Sequence, residues 1–236
     1  MVLKGFAKSR EQANSILMTG NVFVDSRRIE KPGQHVSQNS KIEIKGKAYP
    51  WVSRGGVKLN KAILEFNLEC ESIIALDIGA STGGFTDVLL ANGASKIYAV
   101  DVGYGQLDWK LRQDERVIVK EKTNARYLTD EIIQDPLDAL VCDASFISLK
   151  KVLPSGLGLL KSNGWLVALI KPQFEVGKGL VGKGGVVRDA NLHQEVISDI
   201  TKWAEFEMKM NVLGVTESPI LGPSGNKEFL IVSTKI

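Results

Sequence analysis

Cysteine is scarce: Cys70 and Cys142 are the only two in 236 residues, and they do not stand at metal-ligand spacing. That excludes a disulfide framework and gives no sign of a zinc site, so the pair reads as reduced thiols in or beside buried segments, as in the cytosol. No metal is expected. Long apolar runs are also missing: nothing approaches the roughly 18 uninterrupted apolar residues of a membrane helix. The opening Met1-Val2-Leu3-Lys4-Gly5 lacks the apolar stretch of a signal peptide. Together these absences predict a soluble, cytoplasmic protein with no membrane partner. There is no internal repeat and no low-complexity tract.

What is present is enough for one full-sized core and a small second module, with 44% hydrophobic and 24% charged residues. The net charge of +3 is unevenly spread. Residues 1–60 hold eleven Lys or Arg against four acids, a net of +7, which leaves −4 for the rest. A solvated basic surface is one reading. Attraction to nucleic acid is the other, because clustered cations neutralising phosphates are the main sequence-independent source of such affinity.

The chemistry concentrates at residues 77–86, D-I-G-A-S-T-G-G-F-T, directly after the apolar run Ile73-Ile74-Ala75-Leu76. A second run, Ile97-Tyr98-Ala99-Val100, ends in Asp101. Strand, glycine turn, helix and a second strand ending on a carboxylate make a nucleotide-binding βαβ unit. Gly79, Gly83 and Gly84 let the main chain approach a ligand, and a helix opening near Gly83 aims free N–H groups at the same spot. Asp101, 22 residues after Gly79, is placed to accept ribose hydroxyls.

The departures from a dinucleotide fingerprint decide the ligand. Ser81 stands where a pyrophosphate binder has its second glycine, and Asp77 at the strand end would repel phosphate. S-adenosylmethionine fits better, with its ribose, adenine and cationic sulfonium. Phe85 and Val102, beside this loop and the Asp101 end, join Asp77, Gly79, Ser81, Gly83, Gly84 and Asp101 as candidate cofactor contacts. Asn124 and Arg126 follow the third strand and either line the adenine pocket or cap a loop.

From residue 55 onward helix and strand alternate. Strands are predicted at 73–77, 97–101, 116–120, 138–143, 165–171, 212–217 and 228–234, with helices over 59–66, 83–92, 106–112, 147–160 and 189–209. This is a doubly wound α/β sheet, which binds ligands outside the carboxyl ends of its strands. Asp143 and Lys171 each end a strand there. Glu228 begins the last strand and reaches the same edge if that strand is antiparallel, while Lys58 lies near the start of the helix leading into the first strand. Two lysines and two carboxylates are thus expected to converge, against the plainer reading of four ordinary ion-paired surface groups.

Before residue 55, Ser9 can cap a helix with the apolar face Ala13, Ile16, Leu17 that Gly20 ends, and strands follow at 21–25 and 41–45. The segment S-R-E-Q-A-N-S-I-L-M-T-G-N-V-F-V-D with K-P-G-Q-H-V resembles an S4-type RNA-binding domain, a small α+β module that lies on structured RNA. Its first helix is shortened relative to that pattern. The domains expected are 1–47 (S4-type), 48–54 (linker) and 55–236. Lys8, Arg10, Arg27, Arg28 and Lys31 are the candidate RNA contacts. Pro50 and Trp51 make the linker a stiff hinge, either plainly packed or coupling RNA engagement to cofactor binding.

The motifs S-R-G-G-V-K-L, L-D-I-G-A-S-T-G-G-F-T, A-V-D-V-G-Y-G-Q-L, C-D-A-S-F-I-S-L, I-K-P-Q-F-E and G-P-S-G-N-K-E together resemble the TlyA family, S4-domain proteins with an FtsJ-like methyltransferase domain. The resemblance implies a Rossmann-like class I methyltransferase sheet with an antiparallel last strand, S-adenosylmethionine as cofactor, and 2′-O-methylation of ribose, a cytidine's, in ribosomal RNA or ribosomal subunits. It also implies that Lys58, Asp143, Lys171 and Glu228 are the K-D-K-E catalytic set. Some members modify both ribosomal subunits and shorter ones only the large subunit, the sort this chain is more similar to. Members also carry the label hemolysin, so a membrane-lytic protein stays a rival reading, as does a non-catalytic RNA-binding factor.

Lys171 serves either as a base or, held cationic by Asp143 and Glu228, as the group that steadies the developing alkoxide. The second role is the expected one. Phe146 and Phe174 either stack on the target base or pack in the core. Lys178, Lys183 and Arg188 lie in a glycine-rich segment, 177–185, expected to be mobile, as a lid on phosphates or a solvated loop. His193, on a predicted helix, is assigned no role.

Overall fold

The computed structural model describes residues 1–7, 10, 13, 16, 17, 22–29, 33–37, 39–44 and 49–236, without the side chains of Lys178 and Pro223. The chain forms two compact units, Met1–Arg54 and Gly55–Ile236. Residues 49–54, expected as a separate linker, group with the first unit.

In the first unit, strands β1 (Val22–Val24), β2 (Arg27–Arg28) and β3 (Ile42–Ile44) pair antiparallel in the order β2-β1-β3. Asp25 and Ser26 join β1 to β2 with φ of 48° and 67°, the left-handed pair whose twist matches a two-residue hairpin. The Asp25 carboxylate accepts the Lys41 N–H at 2.8 Å and so pins the start of β3. The short β2 was not foreseen, because two arginines carry little strand signal. Residues 10, 13, 16 and 17 are helical and Ala13 is buried, in line with the expected helix face. Ser9 and Gly20, its expected ends, lie outside the described residues.

The second unit is a seven-stranded sheet. Its strands are β4 (Ile74–Ile78), β5 (Lys96–Val100), β6 (Val117–Lys120), β7 (Leu137–Cys142), β8 (Leu160–Ile170), β9 (Met210–Glu217) and β10 (Phe229–Lys235), in the order β6-β5-β4-β7-β8-β10-β9. The pairs from β6 to β8 are parallel, and β10 runs antiparallel to both neighbours. Helices α1 (Gly55–Phe66), α2 (Gly84–Ala91), α3 (Trp109–Arg112), α4 (Leu149–Val152), α5 (Pro154–Leu159), α6 (Pro172–Glu175) and α7 (Ala190–Phe206) connect them. The central β4 and β7 are mostly apolar and covered on both faces, Asp77 and Asp138 apart. Leu76, Leu140, Val141 and Cys142 have no exposed surface. On one face, α7 delivers Val196, Ile200 and Trp203 to a cluster with Leu140, Leu166 and Ile231.

Three differences from the sequence reading have local causes. Helix α1 opens at Gly55 rather than 59, with the paired glycines in its first turn, Gly56 buried. The helix expected over 147–160 divides at Pro154, the first residue of α5, where proline has no N–H to give to a continuing helix. Strand β8 begins at 160 because the turn-like Lys161-Ser162-Asn163-Gly164 is absorbed as an irregularity in the β7 pairing. Among the described residues, no helix is long and apolar enough to cross a membrane.

Candidate active site

Register brings the reactive groups to one edge. Pairing of Phe229 with Ile170 puts Glu228 across from Lys171, and pairing of Ile78 with Cys142 puts Gly79 beside Asp143. Lys58 arrives from the first turn of α1.

The four side chains form one alternating ionic chain. Lys171 Nζ lies 2.6 Å from Asp143 Oδ1, Lys58 Nζ lies 3.3 Å from Asp143 Oδ2, and Lys58 Nζ lies 2.7 Å from Glu228 Oε2. Lys58, Lys171 and Glu228 are almost wholly buried, and the Asp143 side chain is 22% exposed. Charges this dry need close partners, since removing one leaves another uncompensated at a cost of about 3–5 kcal/mol. Lys171 also donates to Ser145 Oγ at 2.9 Å and to the Asp143 carbonyl at 3.1 Å, while its close approach to Asp143 Oδ1 is an ion pair without hydrogen-bond geometry. Glu228 Oε1 is buried without a hydrogen-bond partner. Gly222 packs so tightly against it that a Cβ there would sit 2.1 Å away.

Beside this chain lies the glycine loop. Gly79 (φ 78°), Ser81 (φ 49°) and Gly83 (φ 94°) are all left-handed. A Cβ on Gly79 would come 3.0 Å from the backbone of Ala144, and one on Gly83 would strike Leu111. Asp101 is half-buried and fixed by two backbone donors, Ser81 N–H at 2.8 Å and Gly103 N–H at 2.7 Å, one on each oxygen. Each oxygen keeps a further lone pair for a ribose hydroxyl. Val102 stands 71% exposed next to it.

Two of the expected cofactor residues act differently from the reading made of them. Asp77 is fully buried: its Oδ2 accepts the Thr86 N–H at 3.0 Å and the Thr86 hydroxyl at 2.7 Å, which holds α2 to β4, while its Oδ1 has no hydrogen-bond partner. Phe85 is 3% exposed, its ring in the core. Asn124 is an exposed cap, accepting the Arg126 N–H at 3.1 Å. Arg10, Arg27 and Arg28 are exposed, whereas Lys8 and Lys31 lie outside the described residues.

Burial pushes the Asp77 carboxyl up to about 7, opposed by the Thr86 hydrogen bonds and reinforced by Asp143 and Asp101. An acid raised in the folded state stabilises the fold when protonated, so this contribution is complete below pH 3.8 and is lost as pH rises through about 7. Asp77→Asn keeps an acceptor for Thr86 and removes the titration. The variant should gain on the wild type, by a few kcal/mol, between pH 4 and 8 in denaturant unfolding; parallel stability curves would refute the assignment.

Ser145, Glu121, Asn226 and Gly222 were not singled out from sequence. Glu121 accepts the N–H groups of Gly105 (2.9 Å) and Gln106 (3.1 Å) and pairs with Arg112, which shapes the loop after Asp101. Its signal, one acid in K-E-K-T-N, is weak. Ser145 was visible in D-A-S-F but only as a neighbour of Asp143.

A methyltransferase family model, FtsJ-like methyltransferase, matches residues 51–235. A 16S/23S rRNA (cytidine-2′-O)-methyltransferase TlyA of Mycobacterium tuberculosis is 45% identical over 98% of this chain and 86% of its own length. The chain belongs to the TlyA family of FtsJ-like methyltransferases. A 23S rRNA (cytidine-2′-O)-methyltransferase TlyA of Campylobacter jejuni is 37% identical over 76% of this chain and 69% of its own. A solved structure bearing the name hemolysin, from Streptococcus thermophilus, superposes with a TM-score of 0.81 at 44% identity, covering 99% of this chain and 85% of that one. The methyl donor of the protein is S-adenosylmethionine. The loop fits it: three left-handed residues shape a main chain left bare of a side chain at Gly79, and Asp101 keeps lone pairs for ribose.

Proposed function

We propose that the protein methylates a ribose 2′-hydroxyl of ribosomal RNA, a cytidine's in the large subunit. The observation that carries this is the buried chain Lys171–Asp143–Lys58–Glu228 at the strand edge that also carries Gly79 and Asp101. Both named relatives have 23S rRNA (cytidine-2′-O) in their names, which favours the large subunit. Phe146 supports a nucleotide target. It is 90% exposed, left-handed at φ 65°, and 5.0 Å from the Phe174 ring. A strained, solvent-facing aromatic two residues beyond the Asp143-Ala144 turn offers a stacking face for a base.

S-adenosylmethionine supplies an electrophilic methyl on a cationic sulfur. The chain's own residues do the rest. Lys171 is held as a cation between Asp143 and Ser145, and the ribose oxygen takes the place of the Ser145 hydroxyl on one of its hydrogens. The hydroxyl is thereby aimed along the attack line, and its negative charge is stabilised as the proton leaves late to solvent past the part-exposed Asp143. Lys58 and Glu228 keep Asp143 from rotating. The first unit, read as the S4-type module, adds the exposed Arg10, Arg27 and Arg28 as backbone contacts.

Incubating the full chain with methyl-labelled S-adenosylmethionine and unmodified large ribosomal subunits tests this. Label should appear in 2′-O-methylcytidine after digestion to nucleosides. Label on a base, or RNA binding with no transfer, would sink the proposal.

A further inference from the structure

The glycine-rich segment 177–185, expected to be mobile, is anchored on one side by side chains that the proposed chemistry does not use. Gly182 and Val186 form a bridge, with the Gly182 N–H donating to the Val186 carbonyl at 3.2 Å and the Gly185 N–H to the Gly182 carbonyl at 3.1 Å. Gly184 and Gly185 are both left-handed, at φ 78° and 76°, which closes a tight hairpin that other residues would resist. Its stalk is locked. Val186 and Val187 are buried, and both backbone polar groups of Val187 are engaged by side chains. Asn226 Oδ1 accepts the Val187 N–H at 3.1 Å, and His193 Nε2 lies 2.9 Å from the Val187 carbonyl, to which it donates.

Asn226 holds a second point of the hairpin by donating from Nδ2 to the Gly185 carbonyl at 2.9 Å. It is itself 3% exposed. Its own carbonyl accepts the Gly222 N–H at 2.8 Å, and Gly222 is the residue pressed against Glu228 Oε1. One buried amide therefore ties the hairpin to the turn that carries the last member of the ionic chain. The hairpin tip holds Lys183 and its outgoing arm Arg188, both exposed.

We propose that Asn226 is a positioning residue that fixes this hairpin as a basic arm, and that Lys183 and Arg188 grip RNA phosphates flanking the reactive ribose. The inference rests on the proposed function and deepens it. Two cations on a fixed stalk contact phosphates without first ordering a loop, so loss of the clamp weakens RNA binding although no RNA-touching atom has been removed.

The test uses the full chain and purified large-subunit ribosomal RNA. Lys183→Ala/Arg188→Ala, exposed substitutions that leave the fold intact, should weaken RNA affinity about tenfold and lower the salt slope of binding by about two. Asn226→Ala should speed amide exchange at Val187 and Gly185 at least tenfold and weaken RNA binding by a similar factor. Added to the double variant it should cost little more, because the arm it positions is already gone. A merely structural role would instead add its full loss on top. Unchanged RNA affinity in the double variant, or multiplicative losses in the triple, would overturn the inference. RNA bound by the wild type but never methylated would sink the proposed function and leave the arm standing.

Discussion

Lys171→Ala should bind S-adenosylmethionine as the wild type does yet lose methyl transfer by about a thousandfold or more. The size follows from what the ammonium does. It lies 2.6 Å from Asp143 and is nearly dry, where a preorganised donor to a developing oxyanion contributes roughly 10²–10³ in rate. In the proposed mechanism the same side chain orients the hydroxyl, which adds to that factor. Truncation also strands Asp143 beside Lys58, and the remaining pair can pull Asp143 away from the reaction line. The hydrogen bonds and ion pair of Lys171 go to Asp143 and Ser145, so equilibrium binding of the cofactor, read by calorimetry, should be retained. Loss of cofactor binding in this variant would move Lys171 out of the catalytic role.

Gly79→Val should have the opposite signature. Its φ of 78° is strained for any side chain, at a cost of about 1–3 kcal/mol for a non-glycine residue. Its Cβ would lie 3.0 Å from the Ala144 Cα and nitrogen, backbone atoms that cannot step aside without moving Asp143. The substitution therefore both closes the approach to the loop and shifts the ionic chain. Cofactor affinity should fall at least a hundredfold, with RNA binding through the rest of the chain preserved. Normal cofactor affinity in a folded Gly79→Val protein would show that the ligand lies elsewhere.

Much of this was legible in the sequence because it rests on period and on chain direction. Seven apolar runs alternating with helical spacing specify the sheet, and all seven strands are found within a few residues of their expected places except the early start of β8. The ionic chain was legible for a related reason: Asp143 and Lys171 end parallel strands, so topology alone sends them to one edge. Glu228 followed once the last strand was taken as antiparallel, as β10 is. Side-chain direction was not legible. Asp77 has the residue type of a cation-facing charge, but its carboxylate turns inward because Thr86, nine residues on, offers two donors. The clamp was hidden for the same reason, since Asn226 reaches across 39 positions to the Val187 N–H whose carbonyl His193 engages. No local pattern announces such a contact.

The alternating charges are proposed to work as one device, and single-turnover transfer to large-subunit RNA by wild type, Lys171→Ala, Glu228→Gln and the double variant tests that most directly. Groups that act as a unit are non-additive, so the double should be no slower than Lys171→Ala alone. Rate losses that multiply would contradict the account, by showing Lys171 and Glu228 to be independent contributors and not the two ends of a single chain.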